Sequence, residues 1–72
     1  MAEERVTAPI SGTILSVKVK VGASVKPGDV LLTIEAMKME NDIVAPRKGV
    51  VKEIRVSEGQ TAKYGDVLVV IE

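Results

Sequence analysis

Hydrophobic and polar residues alternate in the longest of four short segments that recur in each half of the chain. Between positions 17 and 20 valine alternates with lysine, and positions 54–57 read Ile-Arg-Val-Ser. This period-two alternation predicts strands with one buried face. The parity of the pattern slips between positions 14 and 17 and again between 51 and 54, which predicts a bulge or bend in each strand.

Two nearly continuous apolar runs, at positions 30–34 and 67–71, predict central strands that pack on both faces. An Ala-Pro pair at positions 8–9 recurs at 45–46. We expect each pair to open the first strand of its half, at an edge or strand end, because proline cannot donate to a ladder. No segment shows a convincing helical period, so the pattern predicts an all-β chain.

The two halves are copies of one unit. A shift of 37 residues, from Ala8 to Ala45, superposes many identical residues. In the first copy these are Ala8, Pro9, Gly12, Val19, Gly22, Lys26, Gly28, Asp29, Val30, Leu31, Ile34 and Glu35. We therefore predict a single domain over residues 1–72, with repeat halves at about 6–35 and 43–72 and an internal pseudo-twofold axis.

Glycines mark the turns of each unit. Pro27 and Gly28 occupy the second and third positions of a Lys-Pro-Gly-Asp turn, which is the arrangement of a type II turn. The second copy keeps the essential glycine as Gly65. Gly22 and Gly59 follow the alternating strands and are expected at turns with positive φ.

Eight short antiparallel strands in two related halves predict a flattened barrel, or sandwich, of two four-stranded sheets. The segment 36–39 has no counterpart, because a shift of 37 residues carries Met37 past the last residue. This segment is therefore the hairpin that joins the halves. The pseudo-twofold axis predicts that Lys38 projects from one tip and that both ends of the chain lie near the opposite tip.

Composition limits which residue types can form the core and which classes of partner the chain can bind. Of the 72 residues 46% are hydrophobic, yet Tyr64 is the only aromatic one, so the core must consist of Val, Ile and Leu. A chain of this size buries only about 60% of its unfolded surface, and sheet closure is expected to compensate. Ten basic residues balance ten acidic ones, which leaves no electrostatic footprint for nucleic acid or an anionic membrane.

The chain lacks the residues of most enzyme sites. It has no cysteine and no histidine, which excludes a thiolate nucleophile, a Cys/His zinc site and the commonest general acid–base group. The repeated turns explain Asp29 and Asp66, and no phosphate-binding loop is present. We expect no catalytic and no metal-binding residue. The charged N-terminus and the lack of a long apolar run predict a cytoplasmic protein without membrane insertion.

The connecting hairpin carries the candidate chemistry. Hairpin turns usually contain Gly, Asn, Asp or Pro, whereas this one places Lys38 between two methionines. Methionine commonly fills gaps in a core, but that explanation does not account for the lysine. The stretch Ala36-Met37-Lys38-Met39, preceded by Glu35, resembles the AMKM biotinylation motif of biotin carboxyl carrier domains.

The resemblance covers nearly the whole chain and implies the barrel-sandwich fold of biotinyl and lipoyl domains. It implies that biotin is the covalent cofactor on Lys38. The residues implied to help biotin protein ligase select this lysine are Glu35, Ala36, Met37 and Met39. The implied function is that of a non-catalytic carrier, which shuttles carboxybiotin between a biotin carboxylase and a carboxyltransferase or decarboxylase. The whole complex would act on an acyl-CoA or a 2-oxo acid, with the chemistry residing in the cofactor and the partners.

Carriers of bacterial acetyl-CoA carboxylase often have an extra loop, the thumb, in the first half. Here Gly12 to Gly22 and Gly49 to Gly59 are equally spaced, which predicts no thumb and a more exposed biotin.

Two alternatives to the biotin carrier remain open. A lipoyl carrier domain shares the fold, but its motif typically has Asp before the lysine and Ala after it, where this chain has methionine. An unmodified structural adaptor also shares the fold, and the intact motif argues against it.

Overall fold

The computed structural model describes residues 3–72, and this part of the chain forms eight strands and no helix. Met1 and Ala2, which the predicted domain includes, lie outside the described residues. The strands are β1 (Glu4–Thr7), β2 (Gly12–Val17), β3 (Ser24–Val25), β4 (Val30–Ala36), β5 (Met39–Val44), β6 (Gly49–Ile54), β7 (Thr61–Ala62) and β8 (Val67–Ile71). A search of this range for a helix able to cross a membrane finds none.

The strands form two four-stranded antiparallel sheets, with orders β1-β8-β6-β3 and β5-β4-β2-β7. The 37-residue shift relates β1 to β5, β2 to β6, β3 to β7 and β4 to β8. Exchanging each strand for its counterpart converts the first order into the second. This exchange confirms both the predicted pair of sheets and their pseudo-twofold symmetry.

The core lies between the sheets and is aliphatic, as predicted. Strands β4 and β8 occupy inner positions of their sheets, and consecutive residues of both strands are buried. The largest fully buried side chains are Ile14, Leu31, Leu32, Ile34, Val51, Leu68, Val69, Val70 and Ile71. Tyr64 is exposed, so no aromatic ring contributes to this core.

Both predicted bulges are present. The register between β2 and β4 shifts between Ile14 and Ser16, and the register between β6 and β8 shifts between Val51 and Glu53. Each bulge bends its strand around the core. The alternating strand β2 is shorter than predicted, because it ends at Val17. Beyond this residue the ladder continues through one hydrogen bond, which the N–H of residue 18 donates to the carbonyl of residue 31 at 2.8 Å.

The predicted turns are confirmed. In both copies of the Lys-X-Gly-Asp turn, the N–H of the last residue donates to the carbonyl of the first, at 3.0 Å and 2.9 Å. Gly28 and Gly65 both have a φ of 89°, which the third position of a type II turn requires. The aspartate carboxylate of each turn accepts the N–H of its lysine at 2.9 Å, so the turns explain both aspartates. Gly22 and Gly59 also have positive φ, as predicted.

The prediction that the Ala-Pro pairs open strands is wrong. Strand β1 ends at Thr7, before the first pair, and β5 ends at Val44, before the second. Each proline follows its strand because it cannot continue the ladder. The first strand of each half accordingly begins earlier than predicted, at Glu4 and at Met39.

The molecule is elongated, with extents of 36 × 18 × 17 Å. We call the hairpin 36–39 and the residues that flank its base the lysine tip. Gly12, at the start of β2, lies there against the carbonyl of Glu35. From Gly12 the chain runs ten residues to Gly22, which at about 3.3 Å per residue covers roughly 30 Å.

The far end of this run lies beside the chain ends. The N–H of Gly22 donates to the carbonyl of Val51 at 2.8 Å. The adjacent Val50 exchanges two hydrogen bonds with Glu72, at 2.8 Å and 3.0 Å. Glu3 forms an ion pair with Lys52 in the same region, which we call the terminal end. The lysine tip and the terminal end are thus opposite, as the pseudo-twofold axis predicts.

Candidate functional site

The hairpin that joins the halves is a two-residue turn. Ala36 ends β4 and pairs with Met39, which begins β5, so Met37 and Lys38 alone form the turn. Their φ values of 54° and 64° follow the pattern of a type I′ turn, which usually contains Asn-Gly. Among residues 3–72 they are the only non-glycine residues with positive φ. Each such residue costs about 1–2 kcal/mol, so the chain concentrates strain at the candidate site.

The side chains of the turn are exposed. Met37 is 87% exposed and Met39 is 67% exposed, so neither fills a gap in the core. Lys38 is exposed as well, and within the described range its ammonium group has no hydrogen-bond or ion-pair partner. An enzyme can therefore approach this amine from solvent without first breaking an interaction within the fold.

The predicted site residues all lie in this one hairpin. Ala36 is buried, whereas the other four are exposed. Glu35 lies directly opposite Glu40 in the ladder. Like charges in this arrangement destabilise a sheet, so fold stability does not explain the pair of carboxylates below the turn.

Gly12 determines how closely β2 approaches the base of the hairpin. A Cβ atom at this position would lie 2.3 Å from the carbonyl oxygen of Glu35 and 2.7 Å from Cγ2 of Ile34. Only glycine therefore allows this contact, which supports β4 just before the turn. The repeat identified Gly12 as the start of a strand, but the contact depends on the pairing of β2 with β4.

Asn41 is a residue of the site to which the sequence analysis assigned no role. It pairs with Ile34, and its side-chain amide donates to the carbonyl of Ile34 at 3.4 Å and to that of Met39 at 3.2 Å. The first of these bonds connects β5 to β4 beside the turn, and the second lies within β5. The sequence contains one signal of this role, which is an amide side chain two residues after the motif. A hydrophobic or charged residue at this position would form the strand equally well.

The site fits a covalently attached group. The surface formed by residues 3–72 has no concave pocket, and this part of the chain has no cluster of three candidate metal ligands. An amide bond to Nζ of Lys38 requires an exposed amine. The hairpin provides one at the end of two paired strands, so its residues fit biotin attachment.

Comparison with known proteins agrees with this geometry. The model of the family described as "Biotin-requiring enzyme" matches residues 4–71. The chain is 63% identical over 38 residues to glutaconyl-CoA decarboxylase subunit gamma of Acidaminococcus fermentans, a match that covers 53% of this chain and 26% of that protein. It is 50% identical over 42 residues to the biotin carboxyl carrier protein of Streptococcus mutans, which covers 58% of this chain and 32% of that one.

Among solved structures, urea carboxylase of Kluyveromyces lactis matches the whole of this chain with a TM-score of 0.94 and 30% sequence identity. The match covers 6% of that much longer protein. The chain thus spans only about a quarter to a third of the curated relatives named above, and a small part of this enzyme.

Proposed function

The chain belongs to the family of biotin-requiring enzymes, and we propose that it serves there as a biotin carboxyl carrier with Lys38 as the attachment residue. The observation that carries this proposal is the position of Lys38. It lies in an exposed, strained two-residue turn between two exposed methionines. Core packing does not require either residue type at this place.

Lys38 supplies the nucleophile for attachment. After Nζ has lost a proton, its lone pair attacks the carbonyl carbon of an activated biotin. The bond between that carbon and the leaving adenylate breaks, Nζ releases a second proton, and a neutral amide forms, so the positive charge of the lysine is lost. Because no described side chain bonds to this amine, we assign its deprotonation to biotin protein ligase.

The residues around Lys38 present it to the ligase. Met37 and Met39 place apolar thioethers on both sides of the amine, and Glu35 adds a carboxylate at the base of the hairpin. Ala36 is buried, so its small side chain lets the strand end pack closely under the turn. The pairing of Ala36 with Met39 supports the turn at its base.

The same geometry suits a carrier. When bound, biotin accepts a carboxyl group at one active site and releases it at another. The lysine stem and the biotin side chain together span roughly 12–15 Å at standard bond lengths. Tethering makes each delivery intramolecular and raises the effective concentration. The connections 18–23 and 55–60 are equally long, so the first half has no additional loop to cover the tip.

The partners proposed for this carrier are a biotin carboxylase and a carboxyltransferase or decarboxylase. The names of the relatives support this: one is a decarboxylase gamma subunit, and another is a biotin carboxyl carrier protein. In this proposal the chain catalyses neither step, and the partner enzymes select the acyl substrate.

The carrier role is tested with the biotinylated chain, a biotin carboxylase, ATP and radiolabelled bicarbonate. We expect the protein to acquire label faster than an equal concentration of free biotin, and a Lys38→Arg variant to acquire none. Label incorporation no faster than with free biotin would contradict the carrier role. Loading by lipoyl ligase but not by biotin ligase would instead support the lipoyl alternative.

A further inference from the structure

Tyr64 is the only aromatic residue of the chain, and its side chain is 76% exposed. It occupies the second position of the Lys63–Asp66 turn, where proline is favoured. The matching turn in the first half has Pro27 at this position and has the same glycine φ of 89°. The two halves thus form the same type of turn with different residues at its second position. Neither the turn nor the core explains why the second half uses tyrosine.

Two contacts place Tyr64 at the lysine tip. Its N–H donates to Oγ of Ser11 at 2.9 Å, and Ser11 directly precedes Gly12. Gly12 lies against the carbonyl of Glu35, three residues before Lys38. Pro27 lies at the terminal end instead, because the pseudo-twofold axis exchanges the two turns.

Tyr64 is close enough to Lys38 to share one protein partner. Strand β7, which precedes the turn, lies two strands from β4, or about 10 Å across the sheet. Lys38 lies three positions after Glu35, which adds at most about 10 Å along the chain. The two backbones are therefore on the order of 15 Å apart. A standard interface covers about 800 Å² of each partner, which corresponds to a radius of about 16 Å.

We propose that Tyr64 completes, with Met37 and Met39, an apolar docking surface for biotin protein ligase; this inference rests on the proposed function. The unmodified lysine reaches only about 6 Å from its backbone, so the ligase must come close to the hairpin. The biotinylated arm is about twice as long, and a carboxylase can act on it from farther away. The short reach of the bare lysine thus favours the ligase as the protein that contacts Tyr64.

The proposed contact is apolar. Exposed tyrosine and methionine side chains are enriched at protein interfaces, where a few aromatic residues contribute most of the affinity. The ligase surface facing this side of the tip should therefore present apolar side chains that cover the tyrosine ring.

Ligation kinetics with a Tyr64→Ser variant test the proposal. Serine retains the backbone N–H that bonds to Ser11, so the turn remains. We expect KM for the carrier to rise about tenfold with kcat nearly unchanged. The matched control is Val21→Ser, which removes a 63% exposed apolar side chain at the terminal end and should leave KM unchanged. An unchanged KM for Tyr64→Ser, or an equal rise in both variants, would overturn the proposal.

Fluorine NMR gives a readout that does not depend on activity. Because Tyr64 is the only tyrosine, 3-fluorotyrosine labelling yields one signal from the chain. Adding ligase to labelled Lys38→Arg protein, which cannot be loaded, should shift or broaden this signal. An unperturbed signal would overturn the proposal. A signal that shifts on biotinylation of Lys38 in the absence of ligase, and not on ligase binding, would assign the ring to the biotin arm and would also overturn it.

This design separates the two proposals. If the ligase loads neither the wild-type chain nor the variants, the proposed function fails. If the wild-type chain is loaded and Tyr64→Ser is loaded with the same KM, only the role of Tyr64 fails.

Discussion

At the scale of single residues, the exposed methionines beside Lys38 are better explained by recognition than by folding. Met37 contributes almost nothing to the core, since 87% of it is exposed, and its positive φ adds strain. A residue chosen for stability at this position would be glycine or asparagine. The side chain should therefore be replaceable without loss of the fold, whereas recognition of the lysine should suffer.

We predict that Met37→Asp weakens biotinylation of Lys38 and leaves the melting temperature within about 2 °C of the wild-type value, because the change is confined to an exposed position. The loading rate with biotin ligase and a thermal melt provide the two measurements. A variant that unfolds would show that Met37 is structural. Acceptance of the variant by lipoyl ligase would show that this position contributes to the choice between the two cofactors.

At the scale of the elements, the type I′ turn should store measurable strain. Replacing Met37-Lys38 by Asn-Gly supplies the residues that this turn prefers. We expect the free energy of unfolding to rise by about 1–2 kcal/mol, since glycine carries no such cost and asparagine retains part of it. Urea denaturation measures the change. An equal or lower free energy of unfolding would contradict the strain assigned to the turn. It would mean that the packing of β4 and β5, rather than the turn residues, determines the stability of the hairpin.

The repeated type II turn makes a second prediction. Gly65 has a φ of 89°, and a Cβ atom there would meet no atom of residues 3–72 within 4 Å other than those of its two chain neighbours. Gly65→Val should therefore destabilise the domain by more than about 1 kcal/mol through backbone strain alone. Lys63→Val is the matched control in the same turn, because Lys63 is exposed and has no positive φ. An unchanged melting temperature for Gly65→Val would contradict the turn assignment.

Local patterns in the sequence were sufficient to predict some elements. The slips in parity located both bulges, and the glycines located the turns, because each of these features depends on neighbouring residues. The Ala-Pro pairs were misplaced because a proline that cannot donate is compatible with either end of a strand. The role of Asn41 was missed because its bond across the hairpin depends on which carbonyl the partner strand presents.

At the scale of the whole molecule, the lysine tip and the terminal end differ in how their charged groups are paired. The lysine tip presents an exposed amine that bonds to no side chain of residues 3–72, whereas ion pairs connect the strands at the terminal end. Lys52 bonds to Glu3 and lies 3.9 Å from a carboxylate oxygen of Glu72. Arg47 contacts Glu4 at 3.9 Å and donates to the carbonyl of Ile71 at 3.3 Å. These contacts fasten the first and last strands to each other.

The ion pair between Glu3 and Lys52 predicts a pH dependence. The hydrogen bond and the positive charge of Lys52 lower the pKa of the Glu3 carboxyl from its ordinary value of 4.5. The same contact raises the pKa of Lys52 above 10.5. The stabilisation is therefore present between these two values, and it is lost as pH falls through the lowered pKa of Glu3 or rises through the raised pKa of Lys52.

We therefore predict that Lys52→Met lowers the melting temperature slightly at neutral pH, and that this difference shrinks as the pH falls below 4.5. Both groups are exposed, so the effect is small. Melting curves of the two proteins over this pH range provide the measurement. A difference that persists unchanged in acid would indicate that Lys52 acts through its aliphatic stem instead.

The arrangement of the whole molecule was predictable because the sequence repeats. The pseudo-twofold axis, which the repeat alone implies, predicts that Lys38 lies opposite the chain ends. The position of Tyr64 was not predictable in the same way, since it follows from the pairing of β7 with β2 across the two halves. Long-range pairing of this kind leaves no signal in a short segment of sequence.

The proposal that Lys38 is the attachment residue can be tested by intact mass spectrometry. The wild-type chain and a Lys38→Arg variant are incubated with biotin, ATP and biotin ligase. We expect the wild-type mass to increase by one biotinyl group, fragmentation to place that group on Lys38, and the variant to remain unchanged. A folded wild-type chain that gains no mass, or a variant that gains the same group, would contradict the claim.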